Sequence, residues 1–157
     1  NYTIEEYDWI VNINLRGAFV VAQTVGRHMI ERKSGAIINI DSLNTYAPLA
    51  GVTPYAISKA GVLMMTRALA NEWGRHGVRV NSIAPGFFPT ALSQKMWAQE
   101  KMINWAKTNT PLGRLGDVTE LVGAAIYLAS PASGFVTGQT LRVDGGVTAG
   151  INWPIEL

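Results

Sequence analysis

Cysteine is absent from the 157 residues, which excludes disulfide bonds, thiol nucleophiles and zinc–thiolate centres together. Charge is also scarce, at 15% of residues with a net of +2. Thirteen basic and eleven acidic side chains are scattered along the chain. No basic stripe interleaves with aromatics, so nucleic acid is not an expected partner. No apolar run reaches the roughly 18 residues of a membrane span, and no signal peptide opens the chain. A cytoplasmic protein without a membrane partner is therefore expected. The only two histidines, His28 and His76, lack metal spacing to a second ligand, and no metal site is expected. The chain opens Asn1-Tyr2-Thr3 without an initiator methionine, already entering a helical pattern. That leads us to expect a piece of a longer polypeptide.

What is present is apolar. Hydrophobic residues make up 48% of the chain, enough to bury a core in one domain over residues 1–157. Thr3-Ile4-Glu5-Glu6 has the form of a capping box. Beyond it, Trp9, Ile10, Ile13, Phe19, Ala22, Val25 and Met29 recur at helical spacing to about Glu31. Gly17 interrupts that helix, and close packing against a neighbouring helix would explain it. Gly35 to Asp41 reads as a buried strand, and a second helix runs from Tyr55 to about Gly74. Val78 to Ala84 is the next strand and Gln139 to Asp144 a third, with a helix from Asp117 to about Ser130 between them. Strands alternating with helices imply an α/β fold with parallel neighbours and right-handed crossovers. From Phe87 to Thr110 a long connection leaves the carboxyl end of the second strand, where open α/β sheets bind ligands. Its Met96, Trp97, Met102 and Trp105 suit either a core or a lid. Gly145-Gly146 with Gly150 imitates a phosphate loop, but too little chain follows for the required helix and strand; a terminal turn is expected.

The chemistry gathers between Ser42 and Lys59. Ser42 ends the first strand, and Tyr55 and Lys59 lie four apart, on one face of the helix that follows. An ammonium beside a phenol favours the phenolate, which equips tyrosine for proton transfer near neutral pH. A serine hydroxyl alongside would hold the same substrate oxygen. This set points to carbonyl and alcohol chemistry. A Tyr-x-x-x-Lys alone is weak, since any lysine-bearing helix can produce one.

Other segments agree with it. Val11-Asn12-Ile13-Asn14-Leu15-Arg16-Gly17, Asn39-Ile40-Asp41-Ser42, and Tyr55-Ala56-Ile57-Ser58-Lys59 thirteen residues after the serine occur in order. Arg79 to Gly86, Thr90, Pro111 to Gly116 and Val143-Asp144-Gly145-Gly146 follow. In these motifs the chain resembles the short-chain dehydrogenase/reductase family over residues 1–146. The resemblance implies the carboxyl-terminal part of a Rossmann-like, doubly wound parallel sheet with flanking helices. It also implies an oxidoreductase using NAD or NADP. By resemblance, Tyr55 is the general acid/base, Lys59 assists it and bonds the nicotinamide ribose, Ser42 polarises the substrate oxygen, and Asn14 completes a proton relay through a water. Tyr55, Lys59, Pro85, Gly86, Phe88 and Thr90 would hold the cofactor. Asn44, Thr45, Phe87 and Trp97 are candidates for the substrate pocket, with Trp105 beside them. A homodimer or homotetramer is implied too. A weaker likeness at Asn71-Glu72-Trp73-Gly74 and Ala84 to Leu92 suggests a sugar acid or polyol as the small-molecule substrate.

Two departures stand out. The chain contains no Thr-Gly-x-x-x-Gly-x-Gly loop, and nothing in it selects NAD over NADP. Asp41 occupies a position where the family usually has serine or threonine; a carboxylate there would either alter hydrogen bonding beside the nicotinamide or cap the strand end, the second being slightly favoured. A catalytically silent relative kept for helix-mediated association, or a non-redox lyase or epimerase of the same fold, would also satisfy parts of the pattern.

Overall fold

The computed structural model describes residues 2–150; the sequence positions at either end of the expected domain, 1 and 151–157, lie outside the described residues. Helix α1, Ile4–Val11, starts at the expected capping box. Thr3 Oγ1 accepts the Glu6 N–H and the Glu6 carboxylate accepts the Thr3 N–H, at 3.1 and 2.9 Å, which satisfies two donors the first turn would otherwise orphan. The single helix expected to Glu31 is interrupted. Asn12–Arg16 form a π turn before α2, Gly17–Glu31, and the Gly17 N–H reaches back to Asn12 O. Gly17 therefore sits at the exit of a widened turn. A Cβ there would meet only Asn12 O at 3.6 Å, so the close helix packing expected of it does not occur. That packing falls on Gly26, against Trp73, and on Gly61, against Leu15.

Strand β1, Gly35–Ile40, is followed by a 3-10 turn at Leu43–Thr45 and by α3, Thr53–Trp73. Helix α3 begins two residues earlier than expected because Pro54 fits its first turn, where no N–H is needed. Tyr55 thus lies in the opening turn. Gly77, at φ 74°, turns the chain into β2, Val78–Pro85. Its conformation and a Cβ position 2.3 Å from Lys33 O leave room for glycine alone. The long connection is not a bare loop: it folds into α4, Gln94–Trp97, and α5, Glu100–Asn109. A capping box of Asp117 and Glu120 opens a 3-10 turn at Val118–Leu121, which runs into α6, Val122–Ala129. Strand β3, Thr140–Val143, completes the described elements.

The strands form a parallel sheet in the order β1-β2-β3, with Ile40 opposite Ile83 and Pro85 opposite Val143. Strand alternation divides its faces. Val78 and Val80 pack with Ile37 against Ala22 of α2 and Val62, Met65 and Leu69 of α3. Arg79 points the other way. Its guanidinium donates to Leu128 O, Ser133 Oγ and Ser130 O at 2.9, 2.8 and 3.2 Å, closing the carboxyl end of α6, where a cation also suits the helix dipole. A second cluster joins Leu43, Phe87, Trp97 and Ala106, so the connection folds back over the carboxyl end of the sheet. No described helix is long and apolar enough to cross a membrane.

Candidate active site

The carboxyl ends of β1 and β2 carry the expected residues. Ile40 pairs with Ile83, and the Asp41 N–H continues the ladder to Ile83 O at 2.7 Å. Continuing that register by two residues brings Ser42 level with Pro85, where β2 ends. Ser42 is buried, and its Oγ accepts the Asn44 N–H at 3.1 Å and Asn44 Nδ2 at 3.4 Å. With its lone pairs engaged, the hydroxyl keeps its proton to donate.

Helix α3 brings the basic and phenolic groups to this strand end. Lys59 Nζ donates to Ile40 O at 2.8 Å and stands 5.7 Å from the centroid of the Tyr55 ring. One donor of the ammonium is thus committed to the strand and two remain. Among the described residues nothing hydrogen-bonds the Tyr55 hydroxyl, although the Tyr55 carbonyl accepts from Ser58 Oγ at 2.7 Å. Asn14 joins through the same serine, its Nδ2 donating to Ser58 Oγ at 3.2 Å. The π turn is what delivers it, since one extra residue per turn rotates Asn14 relative to the straight helix.

Burial governs the electrostatics. Desolvation pushes the Lys59 ammonium below the ordinary lysine range, opposed by the charge of Asp41. Desolvation likewise pushes the Asp41 carboxyl up, opposed by Thr45, the Ser42 backbone and Lys59. Thr45 Oγ1 donates to Asp41 Oδ1 at 2.5 Å. So Asp41 ties down the turn after β1 through Thr45.

The remaining candidates divide. Thr90 lines an open groove of about 620 Å³ with Pro89, Trp97, Ile103 and Leu115, and its hydroxyl pairs with Ser93 Oγ at 2.9 Å. Trp97 is buried, edge-on to Phe87 at 5.8 Å, and its indole N–H has no partner among the described residues. Trp105 packs edge-on to the same ring at 5.4 Å. Phe88 is not on the groove: its ring lies where a Cβ on Gly116 would be, and it lines a separate 80 Å³ cavity with Thr110 and Asp144. Gly86 packs on Asp144, its N–H donating to Val143 O at 3.0 Å. Asn44 and Thr45 are committed to Ser42, to the Leu49 N–H and to Asp41. Sequence reasoning noted Ser58 only as part of a motif, but its place three residues after Tyr55 already allowed a hydroxyl bond to that carbonyl.

The same residues can be set against known proteins. A family model described as enoyl-(acyl carrier protein) reductase matches residues 1–148. The chain belongs to the short-chain dehydrogenase/reductase family. It is 42% identical over 150 residues to gluconate 5-dehydrogenase of Gluconobacter oxydans (strain 621H), covering 96% of this chain and 59% of that protein. It is 42% identical over 147 residues to 5-keto-D-gluconate 5-reductase of Escherichia coli (strain K12), covering 94% and 58%. The crystal structure of a gluconate 5-dehydrogenase from Burkholderia cenocepacia J2315 in complex with NADP and tartrate superposes with a TM-score of 0.94 at 43% identity, covering 96% of this chain and 59% of that one. The chain thus spans about 59% of the length of the dehydrogenases it matches. For this member of the family, the parallel sheet and its flanking helices are the expected Rossmann-like architecture.

Proposed function

We propose that this chain carries the proton-transfer half of an NAD(P)-dependent oxidoreductase that interconverts an alcohol and a carbonyl. The single observation carrying the reading is Lys59, held over Tyr55 and bonded to the end of β1 at Ile40 O, two residues before the buried Ser42. The residues present fit a nicotinamide nucleotide, because the ammonium retains two free donors at the strand ends, where Pro85-Gly86 closes β2. Lys59, Pro85, Gly86, Phe88 and Thr90 are the residues proposed to hold it, with Phe88 acting through its packing on Gly116. When bound, the nicotinamide supplies the hydride acceptor or donor. Everything else is done by the chain. Tyr55 takes the alcohol proton in oxidation and returns it in reduction. Ser42 donates to the substrate oxygen where negative charge develops, and Lys59 stabilises the charge on the phenol oxygen. Asn14, through Ser58, steadies the first turn of α3.

A sugar acid or polyol is the proposed substrate. The gluconate enzymes among the relatives support it, as does the open groove walled by Trp97, with a polar rim at Thr90 and Gln94. Phe87 supports that wall from behind; Asn44 and Thr45 shape it through Ser42 and Asp41. We further propose a cytoplasmic homo-oligomer, because apolar side chains stand exposed on α1 and α6, Trp9 at 67% and Ile126 at 63%.

The test is Tyr55→Phe in the complete gene product. Turnover of a gluconate-type alcohol should fall by about 10²–10⁴-fold, the usual worth of a positioned acid/base. NADPH binding, followed by the fluorescence of its reduced nicotinamide, should persist. Wild-type turnover in the variant would sink the reading.

A further inference from the structure

Asp41 is 1% exposed, yet its Oδ2 has no hydrogen-bond partner among the described residues. A buried carboxylate with an orphan oxygen is costly unless a nearby charge compensates it. The side chain cannot turn outward: its Oδ1 is held by Thr45 and its N–H by Ile83 O. Strand alternation places Asp41 on the same face as Asn39, whose Nδ2 donates to Thr66 of α3 at 2.9 Å. Lys59 lies seven residues, two helical turns, before Thr66 and is fastened to Ile40 O, the peptide that enters Asp41. The buried carboxylate and the half-buried ammonium therefore lie at the same strand end and against the same helix, without a direct ion pair between them.

We propose that Asp41 is a positioning residue that acts through Lys59, its buried carboxylate serving as the counter-charge that keeps the half-buried ammonium protonated. The charges on neighbouring elements do not replace it. Glu5, Glu6, Asp8 and Arg16 are solvent-exposed on α1 and the π turn, and Arg79 of β2 is committed to α6 on the opposite face of the sheet. On α3 itself Tyr55 is the titratable neighbour, and any charge it gains is negative. The mutual influence of Asp41 and Lys59 on each other's protonation agrees with this placement.

The idea deepens the oxidoreductase reading, and its kinetic arm rests on it; its first test does not. Lys59 in the ligand-free gene product is labelled with trace acetic anhydride from about pH 7 to pH 11, a range that spans an ordinary lysine. Only the neutral amine reacts, so the midpoint reports protonation. In Asp41→Asn the midpoint should move to lower pH, with Lys59 acetylated on the order of three- to tenfold faster on the acid side, as losing a nearby opposite charge implies. Asp41→Ser, which removes the same charge with a smaller side chain, should behave alike, and melting curves verify that both variants are folded. An unchanged midpoint in a folded variant overturns the proposal. In the kinetic arm, the pH profile of kcat should also move to lower pH in both variants, because removing a negative charge favours the deprotonated form of every neighbour. A merely structural role would lower kcat without moving the profile. If the labelling midpoint shifts while even the wild type lacks turnover, the oxidoreductase reading fails and the Asp41–Lys59 coupling stands. If the wild type turns over and the midpoint does not move, the reverse holds.

Discussion

Asn14 touches the site through one hydrogen bond, which makes its contribution separable. Its Nδ2 donates to Ser58 Oγ at 3.2 Å, and Ser58, 0% exposed, donates in turn to the Tyr55 carbonyl at 2.7 Å. Ser58→Ala removes one neutral inter-helix bond and one local back-bond, a loss of about 1–3 kcal/mol when each net bond contributes about 0.5–1.5 kcal/mol. Asn14→Ala removes the inter-helix bond alone and leaves Ser58 its donor role, for about 1 kcal/mol. The double variant cannot lose the shared bond twice. Urea unfolding of the complete gene product should therefore give a coupling of about 0.5–1.5 kcal/mol between the two positions. Catalysis offers a sharper reading of the same cycle. If Asn14 serves by holding Ser58, Asn14→Ala should depress kcat in the wild-type background and leave it nearly unchanged once Ser58 is alanine. Stabilities that add to within about 0.3–0.5 kcal/mol, with kcat falling equally in both backgrounds, would refute the link.

Two further outcomes are expected. Gly86→Ala would place a Cβ 2.6 Å from Asp144 Cα and 2.9 Å from Asp144 O; backbone cannot yield as a side chain does. It should destabilise the protein by about 1–3 kcal/mol and weaken cofactor binding, whereas an unchanged melting temperature and Kd would contradict that packing. At Glu120, the bidentate Arg114 pair at 2.7 Å and the Asp117 N–H hold the carboxyl down at about 2, below its ordinary value of 4.5. Because the folded value is depressed, the contribution is complete above about 4.5 and is lost as pH falls toward 2. An NMR titration of Arg114→Gln should show the Glu120 midpoint moving up; a midpoint that stays put would mean the arginine is not its cause.

Much of the candidate site was legible in sequence because its geometry is local. A spacing of four places Tyr55 and Lys59 on one helical face wherever the helix packs, and a strand followed by that helix brings Ser42 near them. The π turn was not legible: its residues read as ordinary helix, and the partner of Asn14 lies 44 residues away in α3. Nor could the pattern choose between core and lid for Trp97. Leu43 and Ala106 decide that by packing on it from separate elements. Phe88 followed the expected strand end but was turned onto Gly116, where a missing Cβ leaves room for its ring.

The sequence by itself determined the order of strands and helices, the helix caps and the tyrosine–lysine pair, because each depends on residues within a few positions of one another. The tertiary structure alone decided that Asp41 is buried, that Lys59 is drawn onto Ile40 O, and that Asn14 reaches Ser58. Those outcomes depend on which faces meet when β1, α3 and the π turn pack together, and on how much water that packing removes from charges far apart in the chain.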